Sequence, residues 1–426
     1  MGGQNTILLS IDTLRSDEVG CINPDSTLTP NLDKFAADGK VFSNCFSQGP
    51  NTRPSFCSMM SSTYPLMYGD YRKRGILGRI SIAELLKKKG FATAGFHSNP
   101  FLGKQYGYGR GFEEFYDGMR RKSLLSRLGE RMNLAIGDRR YKAFKMYYFK
   151  LKKSLGIPMK SAKNMPYAAG GSILELGKQF LRTIRNPFFL WLHFMDVHTP
   201  YPDSDDDLPL KIRQAAVGKY TFSRKEVSEL YGCRKRQIRA VDRMLAEFFD
   251  FLHDKGLYDT TNIYIASDHG EEFLEHGELG HVNRLYDELI HVPLITNVGG
   301  GLDKSLCENT DMPVSILSAH GLSKPGVFMG RRLEDKKDVV FSETTDPMTQ
   351  KVLFSARTGR WKLIETLPQG TLELYDLESD PGETENVAQD NKDIVKLLKS
   401  KLAEHESRKK AVERKTPIFR MKMGKW

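Results

Sequence analysis

Two short apolar runs in this chain end on residues able to hold a metal ion. Thr6–Ile11 (TILLSI) runs straight into Asp12, and Asn262–Ala266 (NIYIA) runs into Ser267, Asp268, His269 and Gly270. Runs of this length and composition read as buried strands, and open α/β sheets collect their chemistry at the carboxyl ends of strands. Carboxylate oxygens with one imidazole suit a single hard or borderline divalent cation, Mn, Zn, Mg or Ca. Asn51–Phe56 (NTRPSF) adds a hydroxyl: Pro54 in the first turn of a helix that continues through Met59 and Met60 puts Thr52 at the helix N-terminus. Anions are favoured there by free backbone amides and the helix dipole. A threonine in that place is ordinarily a cap; it becomes a nucleophile when a metal lowers the pKa of its hydroxyl.

Such groups need elements to carry them. Thr29-Pro30 opens a helix over Asn31–Asp38, Ser81–Lys89 is an amphipathic helix closed by Gly90, and Phe91–His97 returns as a strand. Helical patterning resumes at Tyr167–Ile184, then the apolar strand Phe188–Phe194, then a long helix within Ser223–Lys255 ended by Gly256. Strand and helix alternate in this way to about residue 300, which predicts an α/β domain around a mostly parallel sheet. After Gly299–Gly301 the pattern changes: Val339–Phe341, Lys351–Ala356, Trp361–Ile364 and Glu373–Tyr375 predict a small antiparallel sheet, followed by a helix over Lys392–Ser407. The expected organisation is a catalytic domain over 1–330 with a basic helical insertion at 119–164, a small α+β subdomain over 331–407, and a basic tail over 408–426.

At 426 residues with 39% hydrophobic side chains, the chain can bury a large core, which excludes wholesale disorder. The five cysteines are odd in number and contain no CxxC pair, so a disulfide scaffold and a thiolate zinc site are excluded and a reducing compartment is expected. No apolar run approaches the ~20 residues of a membrane span, and Ile7-Leu8-Leu9 meets Ser10 and Asp12 too soon for a signal peptide. The chain therefore reads as cytoplasmic. Its net charge of +11 is local: 119–164 carries fourteen Lys and Arg against two acidic residues (+12), 408–426 carries eight against one (+7), and the remainder sums to −8.

Five motifs together resemble the sulfatase family of the alkaline phosphatase superfamily: Asp12-Thr13-Leu14-Arg15, Thr29-Pro30-Asn31-Leu32-Asp33, Arg53-Pro54-Ser55, Ser267-Asp268-His269-Gly270-Glu271, and Leu374–Leu377 with Asp380–Glu383. They stand in family order and spacing across about 380 residues, a combination far more specific than any one of them. The resemblance implies an α/β/α sandwich with a small C-terminal sheet and one divalent ion held by Asp12, Asp268, His269 and the Thr52 oxygen. The family's reactive motif is Cys(or Ser)-x-Pro-Ser-Arg, whose first residue is oxidised to formylglycine. Here Thr52 takes the first position and Phe56 the Arg position. A secondary alcohol cannot be oxidised to an aldehyde, so formylglycine chemistry is closed to this chain. An unmodified Thr nucleophile is similar to the phosphodiesterase and phosphotransferase branches of the superfamily, with Arg53 able to supply the missing charge. Thr13 is a second departure, because many sulfatases place a second Asp ligand there. By the same resemblance His198 (in His-x-Pro-Tyr) assists the leaving oxygen and His281 contacts the anion where many sulfatases have Lys. Asn99, just past the strand ending at His97, is a candidate polar substrate contact. His276 and His291 are expected to be structural.

In Arg139–Leu155, Phe144, Tyr148, Leu151 and Leu155 fall at helical spacing among lysines. That is the composition of an interfacial helix on anionic lipid, or of a lid with a solvated charged face. No nucleic-acid reader module accompanies the charge, so no nucleic acid partner is expected. Two functions stand at this point. One is a metal-dependent hydrolase or transferase acting through Thr52 on phosphodiester or sulfate esters of an anionic glycan or lipid. The other is an inactive protein of the same fold that binds anionic polymer or membrane.

Overall fold

The computed structural model describes residues 4–118, 167–184, 187–205, 207–215 and 219–415. The strands are β1 (Asn5–Ile11), β2 (Lys40–Phe46), β3 (Ala92–Phe96), β4 (Glu114–Tyr116), β5 (Phe188–Phe194), β6 (Thr261–Ser267), a two-strand hairpin β7 (Glu272–Phe273) and β8 (Leu279–Gly280), then β9 (His291–Thr296) and β10 (Gly301–Glu308). All but the hairpin form one eight-stranded sheet in the order β10-β2-β9-β6-β1-β5-β3-β4. Only β9 runs against its neighbours β2 and β6. Strands β1, β5 and β6 are buried at every position, as expected for parallel strands covered on both faces.

The alternation of side chains along β1 shows the layering. Ile7, Leu9 and Ile11 pack with helices α1 (Pro30–Ala37), α4 (Gly170–Thr183) and α5 (Arg224–Asp254) on one face. Leu8 faces the other way, into a core shared with α2 (Thr52–Ser61), α3 (Ile82–Lys88) and α6 (Asp311–Ala319). The result is the α/β/α sandwich that the resemblance implies, built on the mostly parallel sheet expected from the alternating pattern. Local chemistry sets the helix starts. Ser81 with Glu84 and Ser223 with Glu226 form reciprocal capping boxes for α3 and α5. Thr29 instead turns its hydroxyl to Asp33 and accepts from the Gly20 amide, leaving Pro30 to open α1.

Strands β11 (Val340–Asp346), β12 (Lys351–Arg357), β13 (Trp361–Leu367) and β14 (Thr371–Asp376) form an antiparallel meander. Helix α7 (Lys392–Lys415) covers it through Val395, Leu398 and Leu402. The basic tail expected from Arg408 thus begins as helix. Lys409 is buried and ion-paired to Glu343 and Glu406, and the Arg408 guanidinium donates to the Met329 carbonyl (3.1 Å), so part of that charge is drawn inward. Neither β9 nor β10 is marked by the sequence pattern; β10 alternates poorly because its first half is largely exposed. The insertion at 119–164, with its helix expected over Arg139–Leu155, and residues 416–426 lie outside the described residues. Among the described residues, no helix is long and apolar enough to cross a membrane.

Candidate metal centre and active site

Strand register brings the first ligands together. Ile11 pairs with Ser267 of β6 and with Phe194 of β5, so the residues that follow, Asp12, Asp268 and Met195, emerge side by side. Asp12 continues the ladder by donating its amide to the Phe194 carbonyl (2.9 Å). Thr13 then turns into the left-handed region at φ 62°, a costly conformation for a β-branched residue. The turn points the Thr13 amide at Asp268 Oδ1 (3.3 Å) and its hydroxyl at the Val197 carbonyl (3.1 Å). Thr13 therefore braces the loop instead of facing the metal position.

Asp12, Asp268 and His269 bring ligand atoms within 4.8 Å of one another, all buried. Asp12 Oδ1 and Asp268 Oδ2 have no hydrogen-bond partner, and two bare buried carboxylate oxygens are costly unless a cation lies between them. His269 Nδ1 faces the Gly270 carbonyl (2.9 Å), which assigns the proton to that nitrogen and leaves the Nε2 lone pair toward the carboxylates, 3.6 Å from Asp12 Oδ1 and 3.5 Å from Asp268 Oδ2. Burial pushes the His269 pKa down to about 3, so the ring is neutral and able to ligate. Burial, reinforced by the neighbouring Asp12 charge, pushes Asp268 well above the usual carboxylate range. Asp12 is just as buried, yet the imidazoles of His198, His193 and His269 outweigh that penalty and hold it well below that range. The donor set and its bare oxygens fit one divalent cation.

Thr52 is the first helical residue of α2, after the N-cap Asn51. Its hydroxyl is therefore not consumed as a cap and lies 3.4 Å from both Asp12 Oδ2 and His269 Nε2. Asn99, expected to touch substrate, reaches back: its amide nitrogen donates to Asp12 Oδ2 (3.1 Å) and lies 3.4 Å from Thr52 Oγ1. In front of Thr52 lies a cavity of about 580 Å³ whose walls include Arg53, Arg72, Asn99, Phe101, His198 and His281. The Arg53 guanidinium sits on the cavity wall, 4.1 Å from the Phe101 ring centre and 5.6 Å from that of Tyr106. The rings of His198 and His281 are 4.9 Å apart, and those of His281 and His269 also 4.9 Å.

Further residues support these groups, and two of them, Arg234 and His193, carry no signal in the sequence. Glu271 Oε1 meets His281 Nδ1 at 2.9 Å. Burial disfavours a charged His281, but this carboxylate raises its pKa above the ordinary imidazole value. Arg234, fully buried in α5, bonds Glu18 and the Val197 carbonyl. His193, next to last in β5, reaches within 3.3 Å of Asp12 Oδ2. A second histidine-carboxylate group, Glu272, His276 and Glu288, has both ring nitrogens of His276 engaged, by Glu288 (2.6 Å) and the Glu383 carbonyl (3.1 Å). His291 Nε2 donates to the Ser43 carbonyl (2.7 Å), and its ring stacks on Phe46. Both belong to the scaffold.

A model of the family described as Sulfatase matches residues 4–319. Arylsulfatase K of Bos taurus is 27% identical over 207 residues, 42% of this chain and 37% of that protein, so the chain spans little more than a third of that relative's length. A sulfatase of Formosa agariphila is 24% identical over 437 residues, covering 90% of this chain and 83% of that protein. Among solved structures, a 2-O GAG sulfatase superposes with a TM-score of 0.72 at 18% identity, over 97% of this chain and 94% of that chain. The phosphonate monoester hydrolase of Agrobacterium radiobacter gives 0.68 at 18% identity, over 96% of both. At such identities the structural likeness speaks for the fold.

Proposed function

The chain belongs to the sulfatase family, and from that premise we propose that it is a metal-dependent ester hydrolase or transferase with Thr52 as nucleophile, acting on phosphodiesters ahead of sulfate esters. The observation that carries the reading is the Thr52 hydroxyl at 3.4 Å from two ligand atoms, at the start of α2 and facing a cavity. A divalent cation held by Asp12, Asp268 and His269 would lower the pKa of that hydroxyl and neutralise anionic charge on the ester.

Thr52 Oγ attacks phosphorus; the new O–P bond forms as the bond to the leaving oxygen breaks. The Thr52 proton leaves along its existing contact to Asp12 Oδ2. His198 gives the departing oxygen a proton. Water or an acceptor alcohol then displaces Thr52 from phosphorus and gives its proton to His198, while the proton passed to Asp12 Oδ2 returns to the Thr52 oxygen. Water makes the enzyme a hydrolase and an alcohol makes it a transferase. His281, whose charged form Glu271 favours, and the α2 N-terminus steady the anionic oxygens. Arg53 and Arg72 on the cavity wall support an anionic substrate, a glycan or lipid-linked ester.

The test is turnover of bis-p-nitrophenyl phosphate, a phosphate monoester and an aryl sulfate, each with and without EDTA. The diester is expected to be fastest and EDTA to abolish turnover. Aryl sulfate turning over much faster than the diester would reverse the ranking. Failure of the metal-loaded protein on all three would favour the inactive, polymer-binding alternative.

The +12 charge of 119–164 supports residence at an anionic, cytoplasmic membrane face. Salt-sensitive pelleting with anionic liposomes is the expected result, and no pelleting at low salt contradicts it.

A further inference from the structure

The two oxygens of Asp12 have different surroundings. Oδ1 has no hydrogen-bond partner and faces His269. Oδ2 is approached by Asn99 Nδ2 (3.1 Å), Thr52 Oγ1 (3.4 Å) and His193 Nε2 (3.3 Å). Of these, His193 is the anomaly. It is the one polar side chain in β5 (FFLWLHF), and it is completely buried. An imidazole in that setting is costly unless its nitrogens are used.

The backbone shows how they are used. In the parallel pairing of β1 with β5, Ser10 stands opposite His193. Ser10 Oγ lies 3.0 Å from His193 Nδ1 and receives the Trp191 indole N–H at 2.9 Å. Indole nitrogen only donates, so Ser10 keeps its own proton to give. Nδ1 at 3.0 Å is closer than its alternative acceptor, the Leu192 carbonyl at 3.3 Å. With Nδ1 accepting, the ring presents Nε2 to Asp12 Oδ2; this nitrogen makes no hydrogen bond in the structure, and at 3.3 Å it stands just short of one with that oxygen. Phe56, at the position where the family motif has Arg, sets its ring edge-on to His193 with centres 4.9 Å apart and fixes the imidazole plane. The motif's Arg is gone, and hydrogen bonds from Trp191 to Ser10 and from Ser10 to His193 lead toward Asp12 on the side of the sheet that packs against α2.

We propose that His193 is a positioning residue of the metal centre. By engaging Oδ2 from the buried side it fixes the Asp12 carboxylate so that Oδ1 is presented to the cation. This rests on the metal reading of Asp12, Asp268 and His269. Outer partners that orient a ligand typically change metal affinity by about 10- to 100-fold when removed.

The experiment titrates wild type, His193→Gln, Ser10→Ala and the double variant with Mn²⁺ (free ion by EPR) and with Zn²⁺ against a chromophoric chelator. Circular dichroism and thermal unfolding run in parallel. His193→Gln is expected to weaken metal binding by about 10- to 100-fold while remaining folded. Ser10→Ala should weaken it less, and the double variant no more than His193→Gln alone, because Ser10 acts through His193. A His193→Gln protein that unfolds earlier but binds metal like wild type overturns the proposal and leaves the metal site standing. Wild type that binds neither ion overturns the metal reading and the proposal together. Should His193→Gln fail to fold, Ser10→Ala decides: unchanged affinity there overturns the proposal.

Discussion

Arg234 and Glu18 form a buried two-point ion pair beneath the metal loop, with Nε–Oε1 and Nη2–Oε2 both 2.7 Å and neither side chain more than 1% exposed. The remaining guanidinium nitrogen bonds the Val197 carbonyl (3.1 Å) and the Thr13 hydroxyl (3.2 Å). One side chain of α5 thus ties the loop after β1 to the loop after β5, the two that carry Asp12 and His198.

Removing one partner leaves the other charge buried and alone. Arg234→Met should cost about 3–5 kcal/mol of stability, read by denaturant unfolding. Adding Glu18→Gln to Arg234→Met should recover part of that loss. A single variant within error of wild type would show that the pair contributes nothing.

The His276 imidazole supplies a pH dependence outside the metal centre. Partial burial disfavours its charge, but Glu288 outweighs that and raises its pKa above the usual 6.5. A raised histidine stabilises the fold below 6.5, and that contribution is lost as pH rises through the higher folded value. Glu288→Gln should therefore destabilise the protein more at pH 6 than at pH 9. Equal destabilisation at both would remove the charge-based explanation.

The ligand set predicts the behaviour of Asp268→Asn. Its carbonyl oxygen can still receive the Thr13 amide, so the fold should persist, while loss of the ligand charge should remove most bound metal and nearly all turnover. Metal content by mass spectrometry after dialysis checks this, and content equal to wild type would contradict the assignment.

The sequence makes one class of residue easy to read and hides another. Asp12, Asp268 and His269 stand out because each directly follows a buried apolar run, and strand pairing alone makes them neighbours. Thr52 stands out because Pro54 announces a helix start. His193 and Arg234 are hidden because they occur inside elements whose patterns already read as core, and their partners are distant in the chain: Asp12 for one, Glu18 for the other. The reversed strand β9 and the half-exposed β10 are missed for a related reason, since strand direction is not written in periodicity and a sheet edge weakens it. Asn99 was legible as a polar residue just past a strand, but not its reach to Asp12, which depends on how β3 and β1 lie across β5.

Trapping Thr52 itself is the most direct test of the account. The metal-loaded enzyme is mixed with bis-p-nitrophenyl phosphate, quenched in acid during turnover, and digested for mass spectrometry. The predicted result is a p-nitrophenyl-phosphoryl adduct on the Thr52 peptide, absent from Thr52→Ala, whose turnover falls to background. Undiminished turnover by Thr52→Ala, with no adduct on the wild-type peptide, would contradict a threonine nucleophile.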